Sequence, residues 1–375
     1  MALQEACSAA APCGPPASSI GIIPADVLYD VLLHLPAKTL CRFRAVSRSW
    51  RSLLTADPHF AEAHTSRHPV VVTVFFDEDR RSHADIFDLS GNRLRRVTLE
   101  EPCFFITGLC TQGNLACLTQ TGVSPNRVCL INLATGVTSV LPGPEEAGNA
   151  MYMLGEVASS GEHKLLCVDV IHCHVFVLGL GGNHRRWRRK KSPPVRVAGE
   201  SYRAGNAAVV QGTVYCLVSQ HTGDAAIYKD SMVSFDLETE EWAPTFLPGS
   251  LGDGLNGLRR PCFYLDISLA ELSGYLVTAH TDHYTWSMDL WFLVEGQWCR
   301  RYHIWLNVIF YSPDMLAEPW FVFDDGRIVL STYDVYKRSM GFWVYDTRSK
   351  ARIGEMTEIR DWDRVGVCTG SLLCP

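Results

Sequence analysis

The chain has 375 residues, 47% of them hydrophobic and 20% charged, and its formal net charge is -6. That length suggests two or three domains, although a propeller or barrel can use roughly 300 residues as one. The composition is ordinary for a soluble globular protein, and so small an acidic balance excludes a global attraction to nucleic acid or acidic lipid.

Residues 1–19 are rich in Ala, Pro, Gly and Ser, with no Lys or Arg and no continuous apolar run. A secretion signal needs a basic start and an apolar core, so a disordered leader is expected here. No later window offers about 18 uncharged apolar residues, which argues against a membrane span. The cytoplasm or nucleus is the expected location. In such a reducing compartment disulfides are rare, so Cys110, Cys117, Cys129, Cys167 and Cys216, all in apolar strand-like runs, are expected to be core thiols.

From Ile23 to Leu54 the period becomes helical. Val27, Leu28, Val31, Leu32 and Leu35 recur at offsets of one, four, five and eight, which predicts one apolar stripe. Pro24 suits the first helical position, Asp26 the first turn, and Pro36 stops the helix. Two further short helices are expected around Leu40, Phe43 and Val46, and around Trp50, Leu53 and Leu54. Three helices in about 35 residues bury too little surface to be stable alone, so part of their apolar face must meet another surface. Asp57-Pro58 then predicts an N-cap and the start of a short joining helix to about His64.

With Ile23-Pro24, Asp26, Val31-Leu32, Leu35-Pro36, Leu40, Phe43, Val46 and Trp50 in place, this stretch resembles an F-box. The resemblance implies docking onto the Skp-type adaptor of a cullin-based ubiquitin ligase, and an apolar helix face in a partner's groove is a common recognition mode. Adaptor contact is expected from Pro24, Leu28, Leu32, Leu35, Pro36, Leu40, Phe43, Val46 and Trp50. Phe43 and Trp50 serve equally to tie the helices together.

Beyond Val70 nothing reads as a long helix. The run Val70 to Phe76 is β-branched and aromatic, and a motif then recurs: a short apolar run ending in Asp, Asn or a small residue, then a polar turn, often followed by Trp. It appears at Ile86–Leu89, Leu130–Leu133, Val175–Gly179, Val233–Leu237, Leu290–Leu293 and Phe342–Asp346, with Trp187, Trp242 and Trp298 after the third, fourth and fifth. Anchors at 88, 132, 179, 236, 293 and 346 lie 44, 47, 57, 57 and 53 residues apart. That is a propeller-blade period, and Gly-containing turns feeding apolar strands, as at Gly113-Asn114, Gly212-Thr213 and Ser273-Gly274, fill the intervals. A small all-α unit followed by an all-β propeller is expected, six blades fitting the spacing and seven being the alternative, with a leader at 1–19, the helices at 20–66 and the propeller at 67–375. A closed ring requires its first strand, from Val70, to meet its last, Val365 to Cys368. Phe235 to Trp242 in particular resembles the F-box-associated, kelch-like domains of plant F-box proteins. Of the paired glycines usual in kelch blades, Gly181-Gly182 is the one instance.

There is no P-loop, no Gly-x-Ser-x-Gly elbow and no His-Glu-x-x-His. Cys167, His172, Cys173 and His174 have ligand character, but neighbours on a strand point to opposite faces and cannot all converge on one ion. No catalytic residue, metal or cofactor is expected. Six cations flank Trp187 between Arg185 and Lys191. Their competing readings are a solvated loop with Trp187 tucked into a blade, a nuclear-import signal, and a patch for an acidic ligand. The expected function is a non-catalytic substrate-recognition subunit of a Skp-cullin-F-box ubiquitin ligase, binding a protein substrate through the propeller. The rivals are a scaffold acting outside ubiquitination and a catalytic kelch-type propeller.

Overall fold

The computed structural model describes residues 24–79, 81–99, 106–120, 126–145, 150–169, 172–178, 186–198, 205–219, 230–251, 265–308, 315–334, 339–355, 359–360 and 364–368. The leader, Gly181-Gly182 and Arg185 lie outside these residues.

Four helices come first: α1 (Ala25–Leu33), α2 (Ala37–Phe43), α3 (Arg48–Ala56) and α4 (Pro58–Thr65). Their starts are set by local chemistry. Pro24 caps α1 with ψ 145° and its carbonyl accepts from Leu28 N, so it stands one position before the first helical residue expected for it. Pro36 does the same for α2, so its part is to start the second helix; α1 already ends at Leu33. Ser47 Oγ accepts from Trp50 N, and Asp57 Oδ1 accepts from His59 N and Phe60 N, each satisfying amides that a helix start leaves unpaired. The four helices share one core of Leu32, Leu33, Leu40, Leu54 and Phe60. The joining helix is therefore part of the helical unit.

Six antiparallel sheets follow. Blade 1 is Arg364–Cys368, Val70–Phe76, Ser82–Asp88 and Arg93–Thr98; blade 2 is Ile106–Gln112, Leu115–Gln120, Arg127–Asn132 and Thr138–Pro142; blade 3 is Met151–Glu156, His163–Val168, Cys173–Leu178 and Arg188–Lys190. Blade 4 is Ala207–Val210, Thr213–Leu217, Met232–Asp236 and Glu241–Trp242; blade 5 is Leu265–Leu272, Tyr275–Asp282, Ser287–Val294 and Gln297–Trp305; blade 6 is Met315–Val322, Arg327–Asp334, Ser339–Asp346 and Ala351–Glu355, with Ile359–Arg360 also on its third strand. The first-named strands of successive blades lie side by side and line the axis. Val70 pairs with Cys368 and Val72 with Gly366, so the C-terminal strand is the innermost strand of the first blade and closes the ring.

Gly179 lies outside the described residues; the anchors at 88, 132, 236, 293 and 346 lie on the third strands of their blades. At their ends Asp88, Asn132, Asp236 and Asp346 turn the chain, each accepting through Oδ1 from an amide two residues on. The glycine turns join first to second strands. Gln211-Gly212 and Ser273-Gly274 both have two consecutive positive φ angles, the geometry whose twist matches a two-residue hairpin.

Both faces of a blade are covered by its neighbours, which explains the unbroken apolar runs. Alternation sends Val70, Val72 and Val74 toward blade 2 and Val71 toward blade 6, where Val329, Phe342 and Val367 complete the last interface. The three repeat tryptophans make a further link. Trp187 Nε1 donates to the Pro142 carbonyl at 2.7 Å, Trp242 to Lys191 at 3.0 Å and Trp298 to Pro248 at 2.9 Å, each reaching back to the end of the preceding blade's outer edge.

Arg188–Lys190 is a strand, the outer edge of blade 3, where a loop was one expectation. Trp187 packs against Phe176 and Tyr152, with ring centroids 5.2 and 6.0 Å away. Arg188, Lys190 and Lys164 converge on Glu240 of blade 4, Lys164 Nζ at 2.9 Å from Oε1 and Lys190 Nζ at 2.5 Å from Oε2. Burial pushes the Glu240 carboxyl up, and the bonds from Lys190 and Lys164 outweigh it, holding the group below its ordinary range.

Candidate functional site

The helical unit offers one side to solvent. Val27, Val31 and Val46 are 47%, 51% and 62% exposed, and Pro24 and Pro36 are also exposed, although each valine occupies an apolar position of the sequence pattern. Leu32 and Leu40, expected to touch a partner, are 1% and 0% exposed and pack inside the four-helix core. A side chain so covered has no surface for a partner, so those two residues support the face without forming it. Leu28 and Leu35 are half-buried at its margin. Phe43 and Trp50 meet edge to face at 5.4 Å and tie α2 to α3. The stripe inferred from α1 is thus split: Leu28 and Leu32 turn inward while Val27 and Val31 turn outward, because α2, α3 and α4 cover one flank only.

Where α1 ends, two histidines hold it. His64 Nε2 donates to the Leu35 carbonyl at 2.8 Å and His68 Nε2 to the Leu33 carbonyl at 2.9 Å, with the rings stacked 4.4 Å apart. Burial lowers His64 to about 4, only partly opposed by its bond to Leu35, and lowers His68 as well. Neither histidine was legible as a structural group, since nothing in their spacing announces which carbonyls they reach.

The two ends of the propeller are unlike. Blade strands alternate in direction, so the turns between first and second strands, and between third and fourth, lie at the end where the chain enters from α4. The opposite end carries the second-to-third connections and all the crossings between blades, including 191–206, 218–231 and 243–264. Loops on a rigid scaffold are the usual place for recognition. Four histidine–carboxylate contacts gather at this loop-bearing end: His83 with Asp77 at 2.8 Å, His172 with Asp169 at 3.1 Å, His283 with Asp266 at 2.6 Å and His303 with Asp289 at 2.6 Å. The bond from His83, seconded by the Arg81 amide, holds the Asp77 carboxyl below its ordinary range. A shallow recess lined by Asn206, Asp266, Ser268, Thr281, His283 and Glu318 opens where the inner strands of blades 4, 5 and 6 begin. At the same end of blade 5, Tyr284 is 70% exposed and Trp305, on the outer strand, 40%. Trp343, 8% exposed, is inter-blade packing.

Groups that suggest chemistry are otherwise engaged. Ser250 Oγ lies 2.8 Å from His280 Nε2, but burial lowers His280 to about 4, and the oxygens of nearby Asp289 are bonded to His303 and Arg300. Asp289, so engaged, is not placed to orient that imidazole as a base. Cys167 and His174 are register partners on adjacent strands, and among the described residues no three His, Cys, Asp or Glu side chains converge as metal ligands. No helix among the described residues is long and apolar enough to cross a membrane.

Helices capped by proline and a ring of six blades define a class: a small helical unit carried on a propeller. Residues 20–60 match the F-box domain family. The chain is similar to a putative F-box protein of Arabidopsis thaliana, 26% identical over 248 residues, which covers 61% of this chain and 60% of that relative. A second putative F-box protein of Arabidopsis thaliana is 23% identical over 349 residues, covering 86% and 82%. An F-box/kelch-repeat protein of Arabidopsis thaliana is 24% identical over 300 residues, covering 76% and 66%. With these likenesses and the topology above, the chain joins an F-box to a six-bladed propeller domain and resembles plant F-box proteins.

Proposed function

We propose that the chain is the substrate-recognition subunit of a Skp-cullin-F-box ubiquitin ligase. In this reading the helical face seats on a Skp-type adaptor, and the loop-bearing end of the propeller holds a protein substrate. The protein itself makes no covalent bond. It raises the effective concentration of substrate lysines near a ubiquitin-loaded conjugating enzyme, which is catalysis by proximity.

The observation that carries the reading is the solvent-facing Val27, Val31 and Val46 on an otherwise well-packed helical unit, within the residues that match the F-box. Apolar side chains so exposed in a small domain favour burial against a partner. Val31→Asp and Val46→Asp should abolish capture of the Skp-type adaptor without unfolding the helices, because both side chains are exposed in the free protein. Desolvating an unpaired carboxylate costs several kcal/mol, enough to empty a micromolar site. Wild-type capture by both variants in a pull-down would sink the reading. Co-purification of a cullin and a ubiquitination assay separate it from a scaffold acting outside ubiquitination. Mass spectrometry of proteins retained by the propeller after proteasome inhibition would identify the substrate.

A further inference from the structure

The segment joining the F-box to the first blade is tethered almost without a gap. On the F-box side, Phe60 of α4 is fully buried in the helical core, and the Arg67 and His68 amides both donate to the His64 carbonyl at 3.1 Å. His68 then turns its ring back to α1. Its bond to the Leu33 carbonyl occupies an acceptor that the end of α1 would otherwise leave without an intrahelical partner. On the propeller side, pairing begins at Val70, which stands opposite both Asp88 and Cys368. Pro69 alone separates the last tether of one unit from the first of the other. Its ring fixes φ near about −65° and also keeps His68 out of the helical region.

We propose that His68 is a positioning residue: its ring locks the F-box to the first blade, so that the two units move as one body and the adaptor-binding face keeps a set distance from the loop-bearing end. Stacking on His64, whose own ring is bonded to Leu35, holds the His68 imidazole in the orientation that reaches Leu33. The effect on ubiquitin transfer rests on the substrate-receptor reading above; the rigidity does not.

Spin labels on Cys41 and Cys299, exposed cysteines of the F-box and of blade 5, report the separation of the two units in the full-length chain, once other accessible cysteines are changed to serine. Double electron–electron resonance should give one narrow distance peak for the parent and for His68→Gln, whose amide retains an N–H donor. His68→Ala should lose that peak to a broad distribution. So should Pro69→Gly, which spares the ring and frees the backbone. A narrow peak in His68→Ala, whatever Pro69→Gly shows, or a broad one in the parent, overturns the proposal. In a reconstituted ligase, the propeller lysines that receive ubiquitin should be few in the parent and in His68→Gln and should spread in His68→Ala; an unchanged set overturns the positioning role. Failure of the parent to capture the adaptor would instead count against the receptor reading, and the distance measurement would stand by itself.

Discussion

At the scale of the residue, buried polar groups decide more than exposed ones. Asp230 is fully buried, accepts from Leu251 N at 2.7 Å, and lies under Gly249, where a Cβ would fall 1.9 Å from its carboxyl carbon. Gly249→Ala should therefore force the 247–251 strap away from the blade and cost about 1–3 kcal/mol, as overpacking does. Asp230→Ala with Gly249→Ala should recover part of that loss. A thermal melt of the two variants checks the pair, and a neutral Gly249→Ala would contradict the close approach.

His64 sets a pH dependence whose sign follows from its lowered value. It is bonded as the neutral ring, so its contribution is complete above its unfolded value of 6.5 and is lost as pH falls toward about 4. The full amount is on the order of 3 kcal/mol. His280, also lowered to about 4, adds a dependence of the same sign in the propeller. Glu240 is depressed from 4.5, so its contribution begins to be lost only near that pH, at the acid end of the histidine window. Denaturation followed between pH 7 and 4.5 should show stability falling with acid, and His64→Gln should flatten the part belonging to the helical unit. A slope unchanged by that substitution would mean the ring is not held as described.

At the scale of the element, the blades are joined by repeated devices at their rims as well as by their apolar faces. Trp242 packs edge to face on Phe235 at 5.1 Å while its N–H reaches back to blade 3. Trp242→Phe keeps most of the ring and removes the bond, so a loss of about 1 kcal/mol is expected. Glu240 is the larger of the two links, since three cations meet it and Lys164 is itself buried. Glu240→Leu should cost about 3–5 kcal/mol by leaving Lys164 uncompensated. Both values can be read from denaturant midpoints, and a larger loss in Trp242→Phe than in Glu240→Leu would reverse this ranking. The same contacts change the meaning of the basic run. Arg188 and Lys190 are part of an inter-blade clamp, so neutralising the run should lower stability where a solvated loop would not have done so.

At the scale of the whole molecule, closure joins sequence ends nearly 300 residues apart (Val70 to Cys368). Removing residues 359–375 deletes the innermost strand of blade 1. It bares the edge of Val70–Phe76 and uncovers Val71 at the blade 6 interface. Unpaired, β-branched edges recruit other chains, so this truncation should elute as aggregate and be cut rapidly by protease. A fragment beginning near Arg67 keeps every strand and should remain monomeric and protease-resistant. A monomeric, resistant product from the C-terminally shortened chain would be incompatible with a ring closed by that strand.

Much of this architecture follows from the order of residues alone. Helical and strand periods, proline and Asx punctuation and the recurrence of the anchors define four helices and a bladed ring, because those signals act over a few neighbours and need no distant partner; that the blades number six and not seven is decided by the strand pairing. The meeting of Val70 with Val365 to Cys368 was also legible, since a ring must pair its ends. Which of the stripe's side chains would face a partner was not. Val31 and Leu32 are adjacent and equally apolar, and only the packing of α2, α3 and α4 against one flank buries the second and exposes the first. Nor could spacing show that Glu240 would gather Lys164, Arg188 and Lys190, or that His68 would bond to Leu33. A period states which face a residue occupies; what lies against that face is decided when distant segments meet.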